Sequence, residues 1–220
     1  QADLLQPISA LPGHFHIGTQ RLEEHLAPLV QKGLRSVLLF GVPSTAPKDP
    51  TGSAADDTSG PVIQATRLLR ERFPDLYVAC DVCLCAYTSH GHCGLLDSDN
   101  RINNVASVGR LVQVALAYAN AGAHMVAPSD MMDNRIGAIK DALQSQGRTD
   151  VALMSYAAKY ASALYGPFRS ACSTSLTGNR ANYQLPPAAE GLGRRAILRD
   201  AAEGAEVIMV KPGIAYLDIV

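Results

Sequence analysis

Cys83, Cys85 and Cys93 follow a C-x-C-x7-C spacing, on a stretch that Gly91 and Gly94 can bend. Three thiols so placed can converge on one tetrahedral cation, and zinc favours thiolate ligands. Three protein ligands would leave a fourth position open to water or substrate, which is the catalytic arrangement. His90 or His92 could instead fill that position and close a structural site. A set of buried apolar cysteines is the plainer alternative, and the crowding of Cys80, Cys83, Cys85 and Cys93 argues against it. Cys80 alternates away from its neighbours in an apolar run and reads as core. Cys172 is isolated and receives no role.

Two lysines sit where burial would change their chemistry. Lys211 ends the run Val207-Ile208-Met209-Val210, and Lys159 follows Met154-Ser155-Tyr156-Ala157-Ala158. Burial disfavours the ammonium, and the neutral amine can form a Schiff base with a ketone. Each lysine alone reads more readily as a cation reaching out to solvent. Two of them beside a thiolate site shift that balance. Arg169 and Arg180 lie on the segment after Lys159, and guanidinium groups match carboxylates bidentately. Gln184 could add an amide contact. Asp81, Asp130 and Asp133 are candidate carboxylates for orienting a lysine or moving protons. Arg194-Arg195 reads as a solvated face.

Short apolar runs must position these groups. Residues 36–42, 76–82, 124–127, 151–155 and 206–210 read as strands. Helical patterns lie between them at 21–32, from Pro61, at 104–120, 136–143 and 193–202, with Pro28 a weak point in the first. Strand–helix alternation predicts βαβ units and a parallel sheet. The choice is between an open doubly wound sheet and a closed (β/α) barrel. No G-x-G-x-x-G follows a strand, so the dinucleotide form of the open sheet loses support. The reactive residues fall just beyond the strands' carboxyl ends, where a (β/α) barrel builds its active site. The loop 44–60 is long and polar and reads as a functional lid or a linker.

The 220 residues are 47% hydrophobic and 18% charged with a net charge of -1, which excludes wholesale disorder and gives no electrostatic footprint for nucleic acid or anionic membrane. No apolar run is long enough to span a bilayer. Five cysteines without a secretory pattern point to a reducing, cytoplasmic compartment. The chain opens on Gln1-Ala2-Asp3 and stops within an apolar run at Val220, so both ends read as cuts in a longer protein.

The ordered segments 79–85, 88–94, 127–133, 155–159, 165–169, 183–187 and 209–213 resemble porphobilinogen synthase (5-aminolevulinate dehydratase), in its zinc-dependent, eukaryote-like branch. The resemblance implies an α/β fold, a parallel (β/α)8 TIM barrel of which this chain supplies about the second to sixth strands. Residues 1–220 would then be one partial domain, truncated at both ends. It also implies condensation of two 5-aminolevulinate molecules into porphobilinogen with loss of two waters, in tetrapyrrole (heme) biosynthesis. Under it, Lys211 resembles the Schiff-base lysine of the first site and Lys159 its partner at the second. Cys83, Cys85 and Cys93 resemble the ligands of a catalytic Zn2+, and Arg169, Arg180 and Gln184 the carboxylate and positioning contacts. Asp81 and Asp130 are supporting residues, and the assembly is a homo-octamer. The chain departs from the family in having Ser170 and Asn179 where Asp is common, and Ala86 and Ala215 in place of larger residues or Pro. The isolated 220 residues are expected to be inactive and poorly soluble. Two other readings are a zinc-binding homologue or interaction protein without turnover, and an aldolase-type Schiff-base barrel. The paired lysines and the thiol loop weigh against the aldolase.

Overall fold

A computed structural model describes residues 2–172 and 174–220. The chain begins with an antiparallel hairpin, β1 (Leu5–Pro7) against β2 (Phe15–Ile17). There follow α1 (Leu22–Gln31), β3 (Ser36–Leu39), α2 (Pro61–Arg72), β4 (Tyr77–Val82), α3 (Asn104–Asn120), β5 (Met125–Pro128) and α4 (Arg135–Ser145). β6 (Ala152–Lys159), the short α5 (Gly166–Ala171), α6 (Glu190–Ala202) and β7 (Val207–Lys211) complete the order. Strands β3 to β7 form one parallel sheet in sequential order, as the alternation predicts. Among the described residues the sheet is a curled half-barrel of five strands, open at β3 and β7, as expected of part of a barrel.

Local chemistry sets the element ends. The Asn103 side chain caps α3 by accepting from Ala106 N–H at 3.1 Å. Pro61 opens α2, where its missing N–H costs nothing. Gly33 takes φ +103° after α1, while Leu34 N–H returns to the Leu29 carbonyl at 3.0 Å. Helix α1 runs through Pro28, which sits on its exposed side. The core lies between the sheet and its helices, with Leu69, Val78, Val82, Leu111, Val114, Val126 and Leu153 inaccessible to solvent.

Two boundaries differ from expectation in a way that matters. The first strand stops at Leu39 rather than 42, which frees Phe40 and Gly41 to line the cavity described below. The strand expected at 151–155 extends to Lys159, so Lys159 is its last residue rather than part of the following loop. The hairpin β1–β2 and helix α5 were not expected at all. The long loop after β3 is held in place rather than loose. Arg110 of α3 pairs with Asp56 at 2.5 Å and bonds the Gly52 carbonyl at 3.0 Å, while Tyr118 donates to the Ala55 carbonyl at 2.9 Å.

Leu111 is central to this core, and Leu111→Ala should lower unfolding stability by about 2–5 kcal/mol, read from the urea midpoint.

Candidate active site and thiol centre

The carboxyl ends of β3 to β7 surround one cavity. Asp81, Cys83, Cys85, Lys159, Arg169, Arg180, Gln184 and Lys211 all line it. Asp81 lies next to the end of β4, which then turns sharply: Tyr87 and Thr88 N–H both reach the Leu84 carbonyl at 2.9 Å. That turn aims Cys83 and Cys85 together, with sulfurs 3.4 Å apart. The loop doubles back, and Thr88 Oγ1 donates to the His92 carbonyl at 2.9 Å, delivering Cys93. Gly91 makes this possible. It adopts φ +73°, and a Cβ there would fall 2.3 Å from Leu176 N.

The three sulfurs lie within 4.8 Å of one another, and Cys83 and Cys93 are buried. The Cys93 thiol is held well below its ordinary pKa because it accepts from Cys83 and then from Cys85. The positive charges of Lys159 and Arg180 add to that effect. Three clustered thiols, two of them buried and one predisposed to ionise, facing cations, are a donor set suited to a thiophilic metal ion. Among the described residues neither His90 nor His92 joins the sulfur cluster. His90 Nδ1 accepts from His92 N–H at 3.1 Å, and His92 Nδ1 lies 3.1 Å from the Tyr183 hydroxyl. Cys80 is fully buried against Thr66, in keeping with a core role.

Lys159 and Lys211 are directly paired across β6 and β7. Lys159 Nζ donates to the Ser129 carbonyl. Both ammonium positions lie over the Tyr156 ring, at 5.4 and 5.2 Å from its centre, and Lys211 also lies 4.7 Å from that of Phe168. Burial lowers the Lys211 pKa, and the neighbouring Lys159 charge lowers it further. Asp81 moves the other way. Burial raises it to about 6, with the Lys159 charge restraining the rise. Among the described residues one Asp81 carboxylate oxygen and the Tyr156 hydroxyl are buried without a hydrogen-bond partner. The cavity therefore presents a weakened base beside a carboxyl group raised to about 6, with the Tyr156 hydroxyl close to that carboxyl group.

Arg180 is anchored to the thiol loop through the Gly91 carbonyl at 3.4 Å and bonds Thr174 Oγ1 at 3.3 Å, and its Nε is buried without a hydrogen-bond partner among the described residues. Arg169 comes from α5, whose last residue is latched to the hairpin by His16 Nε2 at 2.6 Å from the Ala171 carbonyl. Asp130 does not line the cavity. It lies behind it, fully buried, pairing with Arg135 at 3.5 Å and accepting from Met132 N–H at 2.8 Å. Asp133 is turned outward to Arg199, and Arg194 pairs with Glu190 on the exposed face of α6. Several lining groups had no signal in the spacing of reactive types: Phe40, Tyr87, Tyr156, Tyr165 and Phe168 form an aromatic wall. Cys172 also lines the cavity, with its thiol pushed up to about 12 by burial.

A family model described as delta-aminolevulinic acid dehydratase matches residues 1–220. The delta-aminolevulinic acid dehydratase of Macaca fascicularis is 58% identical over 220 residues, covering 99% of this chain and 67% of that protein. That of Candida glabrata is 56% identical over 220 residues, covering 99% of this chain and 65% of the relative. The solved delta-aminolevulinic acid dehydratase (porphobilinogen synthase) of Toxoplasma gondii ME49, in complex with the reaction product porphobilinogen, superposes with a TM-score of 0.94 at 36% identity. That match covers 98% of this chain and 62% of the solved one, so the chain spans roughly two thirds of the relatives it matches. With a family match along its whole length and relatives at 56–58% identity, this chain belongs to the delta-aminolevulinic acid dehydratase family.

Proposed function

We propose that this site, in the full-length protein, condenses two molecules of 5-aminolevulinate into porphobilinogen. The observation that carries the reading is the direct pairing of Lys159 with Lys211 in the cavity that also exposes the thiol cluster. Lys211 is the nucleophile. Its neutral amine adds to the ketone carbon of the first substrate, the ketone oxygen leaves as water with both amine protons, and an imine remains. Lys159 acts in the same way at the second site. The C–C and C–N bonds that join the two substrates into the ring then displace both lysines as free amines, so the two ketone oxygens account for the two waters lost.

The surrounding groups follow from their placement. Asp81, its pKa raised by burial to about 6, holds and returns a proton beside the two amines. Arg169, Arg180 and Gln184 line the wall towards which the second substrate's carboxylate is drawn. The aromatic wall keeps bulk water from the imine and favours the neutral amine at Lys211. Cys83, Cys85 and Cys93 are the residues that would hold a zinc ion. When bound, zinc supplies a Lewis acid for an oxygen of the second substrate.

On this reading β3 to β7 are about the second to sixth strands of a (β/α)8 barrel, and residues 1–220 form one part of that domain. The full-length protein would be a cytoplasmic homo-octamer serving tetrapyrrole synthesis. No helix among the described residues is long and apolar enough to cross a membrane.

In the full-length protein, borohydride added with 5-aminolevulinate should fix an adduct on Lys211, located by peptide mass spectrometry. The neutral fraction of an amine grows as pH rises through its pKa, so a lowered pKa brings the rising limb of trapping below the ordinary 10.5. Lys159→Ala removes the neighbouring positive charge and should move that limb to higher pH while turnover is lost. An unmoved limb would separate the two lysines electrostatically. Zinc content should fall to background in Cys93→Ser and stay at the parental level in Cys80→Ser, measured by atomic absorption.

A further inference from the structure

Lys159 should not face the cavity if β6 were a regular strand. Ser155 and Lys159 are four residues apart, and a regular strand sends such residues to one face. Ser155 instead points at the helix layer, where its hydroxyl donates to Asp200 of α6 at 2.5 Å, while Lys159 lines the cavity on the other side. The ladder shows how the face is exchanged. Ser155 pairs with Ile208, and the next pair is Ala158 with Val210, so two residues of β6 oppose only Met209. Ala158 then lies towards the helices, 3.7 Å from a Cβ built on Gly193 of α6, and Lys159 falls opposite Lys211. This β-bulge at Tyr156 and Ala157 re-aims the lysine.

One side chain is built around that bulge. Arg135, at the start of α4, has no solvent exposure. Its Nη2 donates to the Tyr156 carbonyl at 3.2 Å and to Ser155 Oγ at 3.3 Å, while Nη1 donates to the Met132 carbonyl at 3.2 Å. Asp130 at 3.5 Å and Asp200 at 3.4 Å supply the counter-charge, and Asp200 is itself completed by Arg199 at 2.8 Å. A buried guanidinium is costly unless paired and bonded. Here Nη1 and Nη2 donate and two carboxylates face the group, while Nε meets Asp130 only as an ion pair, without a hydrogen bond among the described residues. Arg135 ties the β5 turn, Ser155 just before the register change, Tyr156 within it, and α6 to one point.

We propose that Arg135 is a positioning residue: by holding the β6 bulge it keeps Lys159 turned into the cavity and in register with Lys211. This rests on the functional reading of the two lysines given above. Asp130 thereby supports the site indirectly, through Arg135.

The test uses Arg135→Lys and the milder Ser155→Ala in the full-length protein, with turnover, melting temperature and the pH dependence of borohydride trapping at Lys211 as readouts. Lys159, Asp81 and Cys172 are the titratable groups acting on Lys211, and only Lys159 is placed by the bulge. Folded Arg135→Lys should keep the Lys211 adduct, lose about 100-fold in kcat as expected for a displaced reacting group, and show its trapping limb at higher pH. Ser155→Ala should move in the same direction by less. Parental kcat and an unmoved limb in folded Arg135→Lys would overturn the proposal, and so would a lowered melting temperature with an unmoved limb. If Arg135→Lys does not fold, Ser155→Ala decides by the same two readouts. Absence of any Lys211 adduct in the unaltered protein would instead overturn the functional reading, and this proposal with it.

Discussion

Two amines on neighbouring strands, aimed into one partly dry cavity, repel each other, and much of this structure answers that repulsion. Like charges directly opposite across a ladder are unfavourable even at a surface, and more so where water is scarce. The fold does not separate Lys159 from Lys211. It gives Lys159 the Ser129 carbonyl, sets both over the Tyr156 ring, places Asp81 nearby and leaves Lys211 in surroundings that favour its neutral form. The asymmetry is chemically useful. Of two identical side chains, Lys211 becomes a weakened base, without a change in residue type.

The remaining walls come from distant parts of the chain, so the site depends on long-range closure. The thiol loop after β4 is clasped by residues beyond α5, through Thr174, Leu176, Arg180 and Tyr183. Helix α5 is latched in turn by the N-terminal hairpin through His16. None of these contacts lies in the sheet. They hold thiols, guanidinium groups and aromatic rings against strand ends whose positions the sheet already sets, which is how rigid scaffolds commonly carry chemistry on loops.

How much of this could be read from residues alone differs from element to element. The five parallel strands were legible because buried strands write themselves as short apolar runs, and the thiols because their spacing has few other uses. The run around Lys159 was read short for a physical reason: the bulge breaks the period of two that identifies a strand, so the pattern ends at Ser155 although pairing continues to Lys159. Arg135 and Asp200 were invisible because a buried ion cluster joins residues far apart in sequence and leaves no local pattern. The hairpin strands and α5 are too short to carry a periodic signal. Asp130 stood out as a carboxylate near the lysines, yet its partner is a guanidinium behind the sheet's end.

The central claim is that the amine chemistry and the thiol chemistry share one cavity. Crystals of the full-length protein reduced with borohydride in the presence of 5-aminolevulinate, measured at the zinc absorption edge, test it directly. The account predicts anomalous density among the Cys83, Cys85 and Cys93 sulfurs and substrate carbon bonded to Lys211 Nζ within the same enclosure. Metal bound elsewhere, or an adduct on a lysine outside that cavity, would contradict it.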